Sequence, residues 1–478
     1  MAHIRKIIPI LFFPLLITSG CAVHRPQPIE LPVAPPGSFL SGQGAGAALD
    51  SAGRWWKNFD DPVLDSLMQV AFSRNLDLVQ ASARLEQLEA VTRSSASASY
   101  PRLDARGQAG RDKQPSVTGT QTASQYSLSL AASFELDLWR KLGSRTRAAR
   151  LEALASRQDI STLYLGLSAQ LADLYYLMVE KRAQLELTDS TIVLFSDILS
   201  LVERRYQEGI VPSIDVYQAH QNLSAAQAQR PVFEAALAVA GHGLSILLGR
   251  YPAAGVAGDL AVLPETPAAF PAGLPSDLIA RRPDIQAGLL RLEASDARIA
   301  AAVADRFPSF NLLGGYGSSK SVLPLTTISS TFWNWLASLS MPLIDGRRRS
   351  AEVDRTRAVF KESLSRYQQT VLAAFKDVED ALVNNRATEE RIKRTEERAR
   401  STSAMLRLAL DQYRQGLTGY LPVLTAQSLD FDTRIQLLSA RRQLISDRIS
   451  LARALGGDWM EKESARRLAA NNKQRTIR

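Results

Sequence analysis

The sequence predicts an α+β membrane protein in which long α-helical hairpins make up most of the chain and four β-strands contribute to a transmembrane β-barrel. Three observations predict it. Residues Tyr126 to Leu138 alternate without a break, with apolar side chains at 126, 128, 130, 132, 134, 136 and 138. Two stretches, Gly143 to Val211 and Arg347 to Gly416, hold no proline and show helical spacing. The chain also repeats itself at a fixed offset.

The alternating run places apolar and polar side chains on opposite faces of a strand, because successive side chains point to opposite sides of the pleat. It is 13 residues long, against the ~5–6 of an ordinary strand and the ~9–11 needed to cross a bilayer at a tilt. Leu103 to Arg111 is a weaker strand, and the polar segment Asp112 to Ser124 reads as the turn that completes a hairpin. In the second half, Phe310 to Ser318 and Phe332 to Met341 form the corresponding pair. There Trp333, Trp335, Ala337, Leu339 and Met341 share a face, and Ser319 to Ser330 reads as the outward loop.

The helical stretches follow. From Leu64 through Leu88 an amphipathic pattern runs as one helix, ending before Tyr100-Pro101. Apolar residues at 160, 163, 167, 171, 174 and 177 mark a long helix. Its roughly 65 residues would span about 100 Å at ~1.5 Å each. Its many charges forbid a bilayer span, so it extends through water against other helices. Gly209 and Pro212 end it, and Ser213 is an expected N-cap for a second helix reaching about Gly249.

The same order then recurs. Tyr100-Pro101 returns as Phe307-Pro308, Arg84-Leu85-Glu86 as Arg291-Leu292-Glu293, Tyr206 and Gly209 as Tyr413 and Gly416, and Leu248-Gly249 as Leu455-Gly456, each shifted by 207. A single register over that span defines two repeats. The expected organisation is therefore a signal peptide (1–20), an extended tether (21–54), repeat 1 (55–249, hairpin about 101–138), a Pro-rich linker (250–275), repeat 2 (276–456, hairpin about 308–343) and a basic tail (457–478). Four strands cannot close a membrane barrel, and backbone groups in lipid must all be paired, so the sheet must borrow strands from other copies of the chain.

At the N-terminus a short basic segment (Met1 to Lys6), an apolar run (Ile7 to Ile17) and Thr18-Ser19-Gly20 precede Cys21, the chain's only cysteine. The layout is that of a secretory signal peptide. Thr-Ser-Gly-Cys resembles a bacterial lipobox, departing from it at Thr18 where leucine is favoured. That resemblance implies S-diacylglycerol and N-palmitoyl groups on Cys21. Prolines at 26, 28, 32, 35 and 36 make the following segment a tether. The formal net charge is +9, or +7 once Arg5 and Lys6 leave with the signal. The basic residues are interspersed with acids, which is the habit of solvated helix faces and not of a nucleic-acid surface.

Taken together, the repeat, the Tyr-Pro and Phe-Pro openings of the hairpins, Tyr206-Gln-Glu-Gly-Ile-Val-Pro-Ser-Ile-Asp-Val, Tyr413-Arg-Gln-Gly-Leu-Thr-Gly-Tyr-Leu-Pro-Val-Leu and Leu451-Ala-Arg-Ala-Leu-Gly-Gly-Asp-Trp carry a family resemblance. The chain resembles the TolC-like outer-membrane efflux channels, within them the lipoprotein (NodT-type) branch. The resemblance implies a homotrimer with a twelve-stranded barrel in the outer membrane and a helical tunnel across the periplasm. It implies passive transport, with a periplasmic adaptor (membrane fusion) protein and an inner-membrane pump of RND type as partners. The same fold also serves type I protein secretion, which stays as the alternative; a soluble coiled-coil scaffold or nucleic-acid-binding rod is the reading from another class.

The resemblance places the periplasmic tip at the turns after the long helices. Asp215 then matches an acidic residue that lines the aperture and Tyr413 an aromatic that holds it shut, while Gly209, Pro212, Ser213, Gly416, Leu417 and Thr418 shape turns where an adaptor docks. For Asp215 a simpler reading stands beside this one: a carboxylate in a first helical turn offsets the helix dipole. Pro422 and Thr425 occupy positions where relatives often carry acids, so a double acidic ring does not transfer. Trp333 and Trp335 suit a barrel's aromatic girdle, with packing against a soluble core as the alternative. Arg140-Lys141 and Arg347-Arg348-Arg349 follow the second and fourth strands and would face lipid head groups or simply open solvated helices. No enzyme is expected, and no cofactor or metal. His24, His220 and His242 lack ligand spacing, and no nucleophile elbow or phosphate-binding glycine loop is present in the sequence.

Overall fold

The computed structural model describes residues 23–29, 38–40, 53–116, 119–252, 262–268, 270, 275–323, 326–457 and 459–466. Cys21, most of the tether and the chain beyond 466 lie outside the described residues.

A 3-10 turn (Trp55–Phe59) leads into α1 (Pro62–Arg74) and α2 (Leu76–Ser97). The strands β1 (Arg102–Ser116) and β2 (Gly119–Leu136) follow, then α3 (Lys141–Gln207) and α4 (Ser213–Leu247). The second half gives α5 (Pro275–Arg281), α6 (Pro283–Ala304), β3 (Ser309–Val322), β4 (Thr327–Ser340), α7 (Arg348–Arg414) and α8 (Leu421–Leu455). Both long helices have 67 residues and both of their partners 35. The chain is thus mostly helical with four antiparallel strands, in the sheet order β1-β2-β3-β4.

Several sequence expectations are corrected. The helix expected to run unbroken from Leu64 to Leu88 breaks at Asn75, whose Oδ1 accepts from the backbone N–H groups of Asp77 and Leu78 at 3.0 and 3.1 Å. Asn75 therefore starts a new helix although the apolar spacing continues through it. Asp61 starts α1 in the same way, accepting from Val63 and Leu64. Ser213 is not the N-cap of α4; the capping position is Pro212, whose extended backbone (φ −76°, ψ 160°) is preset by its ring, and no side chain bonds there. The polar segments expected to be loops are strand over most of their described residues: β1 pairs with β2 as far as Ser116↔Gly119, and β3 with β4 as far as Val322↔Thr327. A ladder needs paired backbone groups, and polar side chains on both faces suit a hairpin end that stands in water. Finally, 459–466 is helical and not tail, because Trp459 and Met460 are buried.

The chain folds as two compact units. One contains the sheet, most of α2, the start of α3, most of α6 and the start of α7. In it Trp139 donates to the Pro308 carbonyl at 2.8 Å and stacks near Phe307, while Arg349 pairs with Asp305 at 3.0 Å. His24 lies 2.8 Å from Asp296, which holds the chain near residue 24 on α6.

The other unit holds the remaining helices. Its core is aromatic around Trp56, which packs edge-on against Phe72 and Trp459. Here the repeat shows as duplicated contacts. Asn75 donates to the Leu247 carbonyl at 3.1 Å, and 207 residues later Arg282 donates to the Ala454 carbonyl at 3.3 Å. The carbonyl at the end of the short helix is satisfied in both repeats, by different side chains.

Candidate functional site

Two regions carry the function-bearing geometry: the helix turns in one unit and the sheet in the other. At the turns, α3 and α7 end in the same manner. Gly209 (φ 72°) and Gly416 (φ 75°) adopt the left-handed conformation that stops a helix. The following N–H reaches back five residues in each, from Ile210 to the Arg205 carbonyl and from Leu417 to the Gln412 carbonyl, both at 2.9 Å.

Side chains then bind the two turns to each other. Arg205 on α3 donates to the carbonyls of Tyr413 and Arg414 on α7, each at 2.6 Å. It thereby caps the C-terminal end of the other repeat's long helix, where the dipole favours a cation. Its guanidinium also lies 4.6 Å from the centre of the Tyr413 ring. Tyr413 meets Tyr420 edge-to-face at 5.7 Å, and both are buried. The Tyr420 hydroxyl donates to Gln427 Oε1 at 3.0 Å, and Asn222 on α4 donates to the same oxygen at 3.1 Å. Around them Ile198, Val202, Ala219, Leu406, Leu410 and Val423 close an apolar core.

Asp215 lies half-buried in the first turn of α4, and burial raises its carboxyl above the usual aspartate value. Its charge in turn acts on Tyr413 and Tyr420, whose hydroxyls are pushed up first of all by burial. Asp215 and Tyr413 are thus brought together. Gly209, Pro212, Ser213, Gly416 and Leu417 are exposed, and Thr418 is half-buried. Ile210, Ile214, Tyr217, Leu417 and Leu421 leave an apolar surface beside the turns.

Sequence reasoning missed Arg205, Tyr420, Gln427 and Asn222. Tyr206 and Tyr413 correspond across the repeat, yet in the structure Tyr206 is 49% exposed and Tyr413 only 1%, and the sequence signal for this difference is an asymmetry around them. A cation one residue before Tyr206 has no counterpart at Gln412, and Tyr420 corresponds to Ser213.

The sheet is two-faced. Register sets Leu128 beside Gly107 and Ser318, Leu130 beside Ala105 and Tyr316, and Tyr316 beside Trp333. Leu103, Tyr126, Phe134, Leu312, Trp335 and Leu339 lie on this face too. Trp333 and Trp335 are 73% and 74% exposed, at mid-strand, so their aromatic surface faces outward and does not pack against a core. The opposite face carries Asp104, Gln108, Ser127, Ser129, Glu135, Asn311 and Asn334, with Leu313, Ile328, Phe332 and Leu336 set among them. Among the described residues, β1 and β4 each leave one edge unpaired.

Among the described residues no His, Cys, Asp and Glu group could hold a metal ion, and no helix is long and apolar enough to cross a membrane.

Helix turns clamped to each other, helices of 67 residues and a sheet with one apolar face describe an outer-membrane channel protein. Residues 67–250 and 274–457 each match the family of outer membrane efflux proteins. The chain is 32% identical over 429 residues to the probable efflux pump outer membrane protein SepC of Pseudomonas putida, covering 88% of this chain and 89% of that protein. It is equally similar to the toluene efflux pump outer membrane protein TtgF of Pseudomonas putida, 32% over 429 residues with the same coverage. Among solved structures, the outer-membrane channel OprN aligns with TM-score 0.83 and 27% identity over 91% of this chain and 99% of that one. The chain belongs to the outer membrane efflux protein family. The matched regions are the two repeats, and the scaffold or nucleic-acid rod is set aside.

Proposed function

We propose that three copies of the chain form the exit duct of a tripartite efflux system, open to passive flow and energised by an RND-type inner-membrane pump through a periplasmic adaptor. The observation that carries the assembly is the open sheet. A bilayer offers no partner for the free N–H and C=O groups of β1 and β4, while the apolar face bearing Trp333, Trp335 and Leu339 needs one. Edge pairing between copies satisfies both, and twelve strands from three chains exceed the roughly eight of the smallest known barrels.

At the helix turns, Tyr413 and its clamp by Arg205 hold the tip together, and Asp215 supplies the carboxylate of a threefold acidic aperture. The exposed apolar surface of Ile210, Tyr217 and Leu417, with Gly209, Pro212, Ser213, Gly416 and Thr418, is where the adaptor docks. Cys21 carries the diacylglycerol and acyl groups that tether the N-terminus to the outer membrane. The exported class is small and toxic, drug- or solvent-like, in keeping with the toluene efflux named for TtgF. That name also favours small-molecule export over protein secretion.

Native mass spectrometry of protein extracted from outer membranes in mild detergent tests the reading. Three chains, each beginning at Cys21 with added acyl mass, are expected. A monomer would overturn the barrel, and an unmodified N-terminus the anchor.

A further inference from the structure

The charges of the sheet are sorted by face and by height. Its strands hold three acids, Asp104, Asp112 and Glu135, and five cations, Arg102, Arg106, Arg111, Lys113 and Lys320. Following the register, all three acids lie on the polar face together with Arg102 and Arg106. The apolar face carries Arg111, Lys113 and Lys320 and no other charge.

These three cations gather at one end. Lys320 stands directly opposite Tyr126, Tyr126 is opposite Ala109, and Arg111 is the next residue of that face along β1, opposite Ser124. Lys113 follows, opposite Thr122. With β2 between them, two strand spacings of ~4.8 Å and two or four residues of ~3.3 Å put Lys320 roughly 12 Å from Arg111 and about 16 Å from Lys113, a span that these long side chains can bridge over one face. All are exposed, and no acid of the sheet faces them.

Their height is set by the apolar band. From the pair Phe310↔Leu136 to the pair Lys320↔Tyr126 is ten residues of β3. At ~3.3 Å per residue and a tilt of about 40°, this spans roughly 25 Å, the height of a barrel's hydrocarbon-facing band. The cations therefore stand where that band ends, on the hairpin side, away from the helices. At such a boundary aliphatic stems lie on apolar surface and the charged heads reach outward to anionic groups.

We infer that Arg111, Lys113 and Lys320 form a binding site for the phosphate groups of a phosphorylated lipid in the outer leaflet. The inference rests on the barrel reading above. Arg111 can grip a phosphate with two parallel N–H donors, and the lysines supply point charges on either side. Tyr126, between them, offers its ring to the sugar or acyl part of the lipid. Three copies would place three such patches around the barrel, each loading the sheet with lipid only on its outward end.

Full-length protein in mild detergent, titrated with diphosphoryl lipid A and read by native mass spectrometry, tests this. Wild type should retain the diphosphoryl lipid and release a fully dephosphorylated one. The triple variant Arg111→Gln, Lys113→Gln, Lys320→Gln should lose retention by about tenfold or more. The pair Arg102→Gln, Arg106→Gln on the polar face should leave it unchanged. Equal retention by the triple variant, equal retention of the dephosphorylated lipid, or displacement by millimolar inorganic pyrophosphate alone would overturn the lipid site. The spectra also report the oligomer, so a trimer without phosphate-dependent retention sinks this inference alone, and a monomer sinks the reading beneath it.

Discussion

Gly249 lies against the backbone of Arg74, so closely that a Cβ on the glycine would sit 2.5 Å from the Arg74 carbonyl oxygen. The corresponding pair 207 residues later is Gly456 and Arg281, at 3.1 Å. Each glycine follows the short helix of its repeat, has positive φ, and lets the chain leave the helix over the end of the helix that opens the same repeat. Gly249→Ala must displace backbone and hold alanine at φ 65°, which costs about 1–2 kcal/mol before the clash is counted. The variant is expected to lower the temperature at which the detergent-purified oligomer dissociates by several degrees. An unchanged dissociation temperature would show that the two helix ends can part freely.

That pair also shows what the sequence could reveal. Leu248-Gly249 and Leu455-Gly456 stand out because a left-handed helix stop leaves glycine in place, and a fixed offset between such stops is visible without coordinates. The long alternating run of β2 is legible for a similar reason, since one face must be apolar. Asn75 hides its role because Leu76 and Leu78 continue the apolar pattern across the break, and its partner, the Leu247 carbonyl, is 172 residues away. The outer strand ends resemble loops in sequence because pairing in water places no demand on side-chain polarity. At the tip, Asp215 and Tyr413 are reached through family likeness, whereas Arg205, Tyr420 and Gln427 act through long-range contacts that no local spacing announces.

Arg205→Gln removes a charge-assisted bond to two carbonyls and the cation over the Tyr413 ring. Bonds to charged groups contribute about 1.5–3 kcal/mol, and the carbonyls of Tyr413 and Arg414 would be left to water. The turns of the two repeats should part more readily, giving higher single-channel conductance in planar bilayers and greater uptake of large antibiotics by cells. Conductance equal to wild type would mean that the tyrosine pair and the Gln427 bonds hold the tip without Arg205.

Asp215 gives the tip a pH dependence of definite sign. Burial raises its carboxyl above the ordinary aspartate value, so the folded tip disfavours the ionised form. The tip is most stable with Asp215 protonated, below the ordinary aspartate pKa, and loses that increment as pH rises through the folded value. Asp215→Asn should therefore leave stability at neutral pH equal to or above wild type, while abolishing cation preference. In wild type that preference should fade on acidification at a pH above the ~3.9 of an unperturbed aspartate. Reversal potentials measured across a salt gradient between pH 4 and 7 decide it: selectivity unchanged in the asparagine variant would leave Asp215 only its place at the helix start.

Gly315 and Gly317 make a controlled comparison within the sheet, since both lie on its polar face opposite a β4 side chain. A Cβ on Gly315 would meet the end of Asn334, at 2.3 Å from its Oδ1, and that amide can rotate away. A Cβ on Gly317 would meet the tip of Phe332 at 2.6 Å, and also the Leu128 carbonyl oxygen and the Ser129 Cβ, both at 2.9 Å. Leu128 and Ser129 belong to the neighbouring strand, so relief there requires β2 and β3 to separate and the ladder Ser129↔Gly317 to weaken. Gly315→Ala should thus assemble nearly as wild type. Gly317→Ala should cut the yield of heat-resistant oligomer severalfold, because overpacking of this kind costs about 1–3 kcal/mol in each copy. Companion Phe332→Ala would remove only the ring contact, so a double variant that still assembles poorly assigns the defect to the β2 backbone, and full recovery assigns it to Phe332.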